Sequence, residues 1–362
     1  MIKNLNLLIK PSSASCNLAC TYCFYRSSSK RRSKKDQELM DDETLELLIT
    51  RAFESRAETI SFLFQGGEPL LMGLNFFEKF HDLLAKKDRG IKQVDFAIQT
   101  NGLLLDEDSV RFFRDHGYLV GISLDGIRET HDRSRVFEDK SPSFDRVLEK
   151  ILLLKKYHVN FNVLTVVSED IVVHIEEIYE LYKSLDLRNL QFIPRIRNQE
   201  TDYLSPLAYG VFLDKVFKLW YEDLKDGRLV GERFFENILL RLLGRPVESC
   251  QMLGHCTINP VIEADGSVYA CDFFVKDSLK LGHIKTRSLD DLLLSKKAYD
   301  FVRPSFSLSL SCRKCPYLDL CRGWCFAYRK DKSIYCESFK YFYSRNLGKL
   351  IEIRDYIIDK NV

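Results

Sequence analysis

Three things are missing from this sequence: an excess of charge, a long apolar run, and any cysteine between Cys23 and Cys250. The 54 Lys and Arg nearly cancel the 52 Asp and Glu, leaving a net charge of +2. That balance excludes the broad electrostatic footprint of a nucleic-acid or anionic-membrane binder. The run KRRSKK at 30–35 is a local exception and reads as a solvated loop. No apolar stretch approaches the roughly 20 residues of a membrane span. The opening MIKNLNLLIKPSS has too short an apolar core for a secretion signal, so a cytoplasmic location is expected. Low-complexity segments and solenoid periods are absent as well. What is present is 362 residues with 45% hydrophobic content, enough to bury one large core or two smaller ones.

Eleven cysteines need an explanation other than disulfides, because a reducing compartment keeps thiols free and an odd number cannot pair completely. Three sit at Cys16, Cys20 and Cys23. Eight follow at Cys250, Cys256, Cys271, Cys312, Cys315, Cys321, Cys325 and Cys336. Cysteines used as small core hydrophobes would be scattered, so this two-part clustering points to metal or iron–sulfur ligation.

From residue 5 to about 194 the pattern alternates short β-like runs with amphipathic helical stretches. Strands are expected at 5–10, 60–65, 94–100, 118–124, 160–167 and 190–194. Helices are expected near 42–56, 74–88, 106–116, 143–157 and 171–184, with Asp42 and Asp106 as caps. Repeated β/α units with right-handed crossovers build a parallel sheet. About six units curl into an open, partial barrel, and a doubly wound sheet fits the periodicity equally. Catalytic groups in such folds sit at the carboxyl ends of the strands, and the unusual motifs fall there. The cysteine loop follows the first strand, QGGEP (65–69) the second, QTNG (99–102) the third, SLDG (123–126) the fourth and QFIPRIR (191–197) spans the sixth and its end. Farther on, 206–245 reads as two helices and about 333–359 as a long closing helix. Between them, VIEADGSVYACDFF (261–274) reads as a hairpin turning at Asp265-Gly266, with Cys271 and Asp272 at its far end.

The spacing C-x-x-x-C-x-x-C is unlike the C-x-x-C pairs of a structural zinc site, which closes all four positions. Three thiolates on a cubane iron–sulfur cluster hold three irons and leave the fourth open to a small molecule. The remaining eight cysteines are twice four and can close two further sets. Two zinc knuckles are the physical rival for those eight, since CRKC (312–315) is an acceptable zinc pair.

Cys16, Cys20 and Cys23, with Tyr22 inside the signature and QGGEP after the second strand, resemble the radical S-adenosylmethionine (SAM) enzymes. The resemblance implies a partial (β/α)6 barrel in which the SAM amino and carboxylate groups complete the first cluster. It implies a cofactor pocket of Tyr22, Gln65, Gly66, Gly67, Glu68 and Ile196, with Ser123 and Arg135 on the SAM polar groups. The later cysteines resemble the SPASM extension of peptide-modifying members. That likeness implies one [4Fe–4S] cluster on Cys250, Cys256, Cys271 and Cys325 and another on Cys312, Cys315, Cys321 and Cys336, three clusters in all. The corresponding domains are 1–235, the partial barrel, and 236–362, the cysteine-rich SPASM domain with a β-hairpin and a closing C-terminal helix.

The segments LLIKPSSASCNLACTYCFYR, LFQGGEPLL, QTNG, VGISLDG, LQFI and DGSVYACDFFV together resemble anaerobic sulfatase-maturating enzymes. This implies oxidation of a cysteine or serine in a sulfatase segment to Cα-formylglycine without oxygen. Asp272 is the expected base and Tyr25 a lesser candidate for steering the substrate. An external one-electron reductant such as flavodoxin or ferredoxin, a peptide or unfolded protein substrate, and a monomeric state are implied too. Two departures touch the substrate side: PRIRNQETDYLSP (194–206) is shorter than usual, and Trp324 stands where a small residue is more common. The alternatives are a SPASM maturase that crosslinks or epimerises a ribosomal precursor peptide, and a zinc-stabilised binding module.

Overall fold

A computed structural model describes residues 3–25, 39–88, 90, 92–195 and 204–360. The alternation expected from the sequence is present. It runs β1 (Asn4–Lys10), α1 (Asp42–Glu54), β2 (Thr59–Phe64), α2 (Leu74–Lys87), β3 (Gln93–Thr100), α3 (Glu107–Asp115), β4 (Leu119–Ser123), α4 (Phe144–Lys156), β5 (Phe161–Val167), α5 (Ile175–Ser184) and β6 (Asn189–Pro194). There follow α6 (Pro206–Lys225), β7 (Gly231–Glu232), α7 (Arg233–Leu242), β8 (Val261–Glu263), β9 (Ser267–Tyr269), β10 (Lys280–His283) and α8 (Cys336–Lys360).

Local chemistry sets the helix ends. The cap of α1 is Asp41, one residue before the expected Asp42, and its carboxylate accepts from Thr44 N at 2.7 Å. Asp106 caps α3 as expected, in a reciprocal box in which its carboxylate accepts from Ser109 N and Ser109 Oγ accepts from Asp106 N. Such caps contribute about 1 kcal/mol each. The helix expected over 171–184 is two pieces, because His174 leaves helical geometry between Glu169–Val173 and α5.

Two compact units account for the chain. The first comprises residues 1–124, 132–161 and 258–301. Its strands lie in the order β10-β9-β8-β1-β2-β3-β4, with β1 to β4 parallel. In β1 and β2 the paired residues Leu5–Ile60, Leu7–Phe62 and Ile9–Phe64 are all buried, which fixes the register: a one-residue slip would turn these side chains to the opposite face. The hairpin β8–β9 turns at Gly266, whose φ of 84° suits glycine. β8 joins β1 in parallel, pairing Lys10 with Glu263. β10 adds a third antiparallel strand not expected from KLGH, which is too short to show a period.

The second unit comprises residues 125–131, 162–257 and 302–362, with strands in the order β5-β6-β7. α6 and α8 pack together through an aromatic core. Phe217 meets Phe342 at 5.5 Å between ring centroids, and Tyr209 meets Tyr335 at 4.7 Å. The buried pair Asn346–Asp214 crosses the same interface at 2.8 Å. Among the described residues, no helix is long and apolar enough to cross a membrane.

Candidate active site

The carboxyl ends of β1, β2 and β3 are tied together by short backbone contacts. Gly67 N donates to Ser13 O at 2.7 Å and Glu68 N to Ser15 O at 2.8 Å, clamping QGGEP to the loop that enters Cys16. A Cβ on Gly67 would stand 1.9 Å from Ser15 O, an impossible overlap. Gly66 has φ of 131°, which side chains rarely adopt. The two glycines are therefore required for this close approach and not merely for a turn.

That clamp fixes Glu68, which is fully buried. Its carboxylate accepts from Thr100 Oγ1 at 2.7 Å, Asn101 N at 2.8 Å and Leu70 N at 3.0 Å. Burial still dominates and pushes its pKa up to about 7, against the lowering effect of these bonds and of nearby Arg135. A buried carboxylate poised there gains most from a cation brought beside it. Arg135 is itself only 8% exposed, although arginines are mostly surface residues, and its guanidinium lies 5.5 Å from the Tyr22 ring centroid. Ser123 is buried at the end of β4. Ile196 lies outside the described residues.

Asn101 connects this pocket to the cysteines, its side-chain amide donating to Asn17 Oδ1 at 2.7 Å and to Cys16 Sγ at 3.8 Å. Cys16 also accepts from Leu18 N at 3.4 Å. Cys16 is exposed, Cys20 and Cys23 are half-buried, and both lie within electrostatic reach of Cys16. Three soft thiol donors grouped on one loop fit an iron–sulfur cluster.

A second polar group lies where β8 meets β1. The ammonium of Lys10 is buried and pairs with Asp272, and it stands 3.4 Å from the Tyr25 ring centroid. Gln65 donates to the other Asp272 oxygen at 3.1 Å. Tyr25 is 4% exposed and donates its hydroxyl to Glu263, which also accepts from Ser13 at 3.1 Å. Asp272 keeps 22% side-chain exposure, so a substrate can reach it. The sequence reading marks QTNG at the end of the third strand but assigns no role to Thr100 or Asn101 in it, nor to Lys10 or Glu263. Lys10 ends one apolar strand and Glu263 interrupts another; the parallel register of β1 with β8 makes them neighbours.

The second unit holds two further groups of thiols. Burial pushes the Cys321 thiol up to about 12, with Cys336, Cys312 and Cys315 adding to the effect in that order. Cys325 is raised to about 12 in the same way, with Cys250 and Cys256 contributing. The same neighbourhoods that disfavour a bare thiolate would accept one neutralised by iron. Among the described residues, no three or more Cys, His, Asp or Glu side chains converge on a single point as ligands of one metal ion do. Cys271 belongs to the first unit, next to Asp272. Trp324 is a core residue: it is buried against Phe339 and Phe234, with ring centroids at 4.7 and 5.6 Å.

Comparison with known proteins agrees with this geometry. The Radical SAM superfamily matches residues 11–182, and the SPASM iron-sulfur cluster-binding domain matches 250–316. A cysteine-type anaerobic sulfatase-maturating enzyme of Clostridium novyi (strain NT) is 40% identical over 96% of this chain and 97% of its own length. A serine-type anaerobic sulfatase-maturating enzyme of Bacteroides thetaiotaomicron is 33% identical over 89% and 83%. The solved structure of native anSMEcpe with bound AdoMet and Kp18Cys peptide superposes with a TM-score of 0.92 at 37% identity, covering 98% of this chain and all of that one. The parallel β/α core is thus of the radical SAM type, followed by a SPASM region with antiparallel strands and a C-terminal helix. Iron–sulfur clusters and SAM are the cofactors of this fold and donor set. The chain belongs to the anaerobic sulfatase-maturating enzymes of the radical SAM superfamily.

Proposed function

We propose that this chain oxidises a cysteine side chain in a sulfatase segment to Cα-formylglycine without oxygen, with Asp272 as the base. The observation that carries the reading is the partly exposed Asp272 carboxylate, held by Lys10 and Gln65 beside Cys271. Cysteine is favoured over serine as the target because cysteine-type relatives reach 38–40% identity and serine-type relatives 30–33%.

When bound, SAM on the first cluster supplies the radical that takes a hydrogen atom from the substrate Cβ. The chain's own part is to place and deprotonate the substrate. Lys10 and Gln65 each hold one Asp272 oxygen, so the carboxylate meets an incoming thiol in a fixed orientation. Tyr25 acts as a positioning residue, its ring under Lys10 and its hydroxyl on Glu263. Glu68 offers its carboxylate to the SAM amino group, and Gln65 to Gly67, Tyr22, Ser123, Arg135 and Ile196 form the rest of that pocket. Cys16, Cys20 and Cys23 hold the first cluster. Cys250, Cys256, Cys271 and Cys325 hold a second, and Cys312, Cys315, Cys321 and Cys336 a third, each [4Fe–4S]. The domain boundary at 235/236, a monomeric state, a cytoplasmic location and reduction by a flavodoxin or ferredoxin belong to the same reading.

The test is anaerobic turnover of matched cysteine and serine peptides, followed by mass spectrometry. Asp272→Asn is expected to cleave SAM normally while aldehyde formation falls roughly 10²- to 10⁴-fold, the range of a lost general base. Full aldehyde formation by that variant removes Asp272 from the role, and a crosslinked or epimerised peptide from the wild type overturns the reaction itself.

A further inference from the structure

The segment CRGWCFAYRK (321–330) joins a cysteine of one C-terminal group to a cysteine of the other. Cys321 lies with Cys312, Cys315 and Cys336, whereas Cys325 lies with Cys250 and Cys256. The three residues between Cys321 and Cys325 all have positive φ: 49° at Arg322, 81° at Gly323 and 59° at Trp324. Glycine takes this region freely, but a bulky residue does not, so Trp324 carries backbone strain. Strain of this kind persists where the surroundings over-determine the conformation.

Arg329 supplies much of that constraint. Its Nη2 donates to Trp324 O at 2.7 Å and to Gly254 O at 3.3 Å, and its Nη1 donates to Ser305 O at 2.8 Å. Each carbonyl belongs to a segment that sets a cysteine. Trp324 precedes Cys325, and Gly254 lies two residues before Cys256. Ser305 is fully buried, and its hydroxyl accepts from Cys256 N at 2.8 Å. A guanidinium is a rigid planar fork, so one side chain ties together two stretches of chain about 70 residues apart in sequence.

Two further observations place Arg329 at the cluster site itself. Its charge is within electrostatic reach of both Cys256 and Cys325. Its Nε is buried and has no hydrogen-bond partner among the described residues. A buried donor of that kind calls for an acceptor, and the sulfur of a cluster on these cysteines is one.

We propose that Arg329 is a positioning residue for the cluster of Cys250, Cys256, Cys271 and Cys325. Its fork holds the segments that carry Cys256 and Cys325, and its charge favours the reduced state of the cluster they share. This rests on reading those four cysteines as the ligands of one [4Fe–4S] cluster. Reduction adds one negative charge, so a fixed cation beside the cluster raises its reduction potential, as hydrogen bonds to its sulfurs do. Lysine at this position keeps the charge without the fork, and glutamine removes the charge.

The test is an anaerobic redox titration followed by electron paramagnetic resonance. It uses reconstituted full-length protein with Cys16, Cys20 and Cys23 replaced by Ala, so that about eight irons in two clusters remain. Arg329→Gln is expected to lower one of the two midpoint potentials by about 59 mV, a ten-fold drop in the equilibrium constant for one-electron reduction, and to leave the other in place. Arg329→Lys is expected to hold both potentials near their original values. Loss of about four irons in either variant, with the other cluster intact, also bears the assignment out. The assignment is overturned if both potentials stay in place in Arg329→Gln with all irons bound, or if the two potentials move together. It is overturned equally if Arg329→Lys shifts as far as Arg329→Gln, or if irons are lost from both clusters alike. Zinc in place of iron in the parent protein counts against the cluster reading, a result separate from the role of Arg329.

Discussion

The loop of Cys16, Cys20 and Cys23 and the group of Cys312, Cys315, Cys321 and Cys336 use the same donor atoms for different ends. The first has three thiols and a buried carboxylate with a pKa near 7 held against them through Asn101, and burial pushes its Cys16 thiol up to about 12, as it does Cys321 in the second. The second has four thiols, a buried Cys312, and no carboxylate among the groups that dominate the shift of Cys321. On the proposed reading, the first site keeps a coordination position for a small charged molecule and the second closes on itself. In that reading the number of thiols separates a site open to a small molecule from one that is filled by protein ligands.

The largest expected effect breaks this comparison directly. Cys16→Ala is expected to abolish SAM cleavage, measured as 5′-deoxyadenosine released under dithionite. Cys336→Ala is expected to retain SAM cleavage but lose most aldehyde product. Equal loss of SAM cleavage in both variants would mean that the two sites are not functionally distinct.

A smaller effect sharpens the first site. The folded pKa of Glu68, about 7, lies above its ordinary value of 4.5 because of burial. The protonated form is therefore favoured on folding. This contribution is fully present below about pH 4.5 and is lost as pH rises through about 7, an effect of roughly 3 kcal/mol. In cofactor-free protein, Glu68→Gln is expected to flatten the pH dependence of denaturant stability across that window and to raise stability at pH 8. The same variant is expected to weaken SAM binding about ten-fold, the loss of one charge-assisted hydrogen bond. A variant with unchanged SAM affinity would leave Glu68 as a structural tie between β2 and β3.

Much of this was legible in the sequence because the signals are local. Strands β1 to β6 fall within one residue of expectation, since alternation and bounding turns mark them. The cysteine spacing and QGGEP mark the first site for the same reason. Long-range register was not legible. Lys10 ends an apolar strand and Glu263 interrupts another, and nothing in either segment shows that β1 and β8 pair in parallel to bring them together. Arg135 is expected near SAM only through the family resemblance, since nothing local marks it; it is buried beside Tyr22, where the loop after β4 returns to the cysteine loop: Ala19 N donates to Val136 O and Thr21 N to Ser134 O. Trp324 draws notice as a departure from family pattern and proves to be core packing against Phe339.

The most direct test of the central claim, that three thiols make an open site and the other eight make closed ones, is iron content after anaerobic reconstitution. Wild type is expected to hold about twelve irons per chain and the variant with Cys16, Cys20 and Cys23 all replaced by Ala about eight, with SAM cleavage absent. A triple variant that keeps its full iron, or still cleaves SAM, contradicts the account.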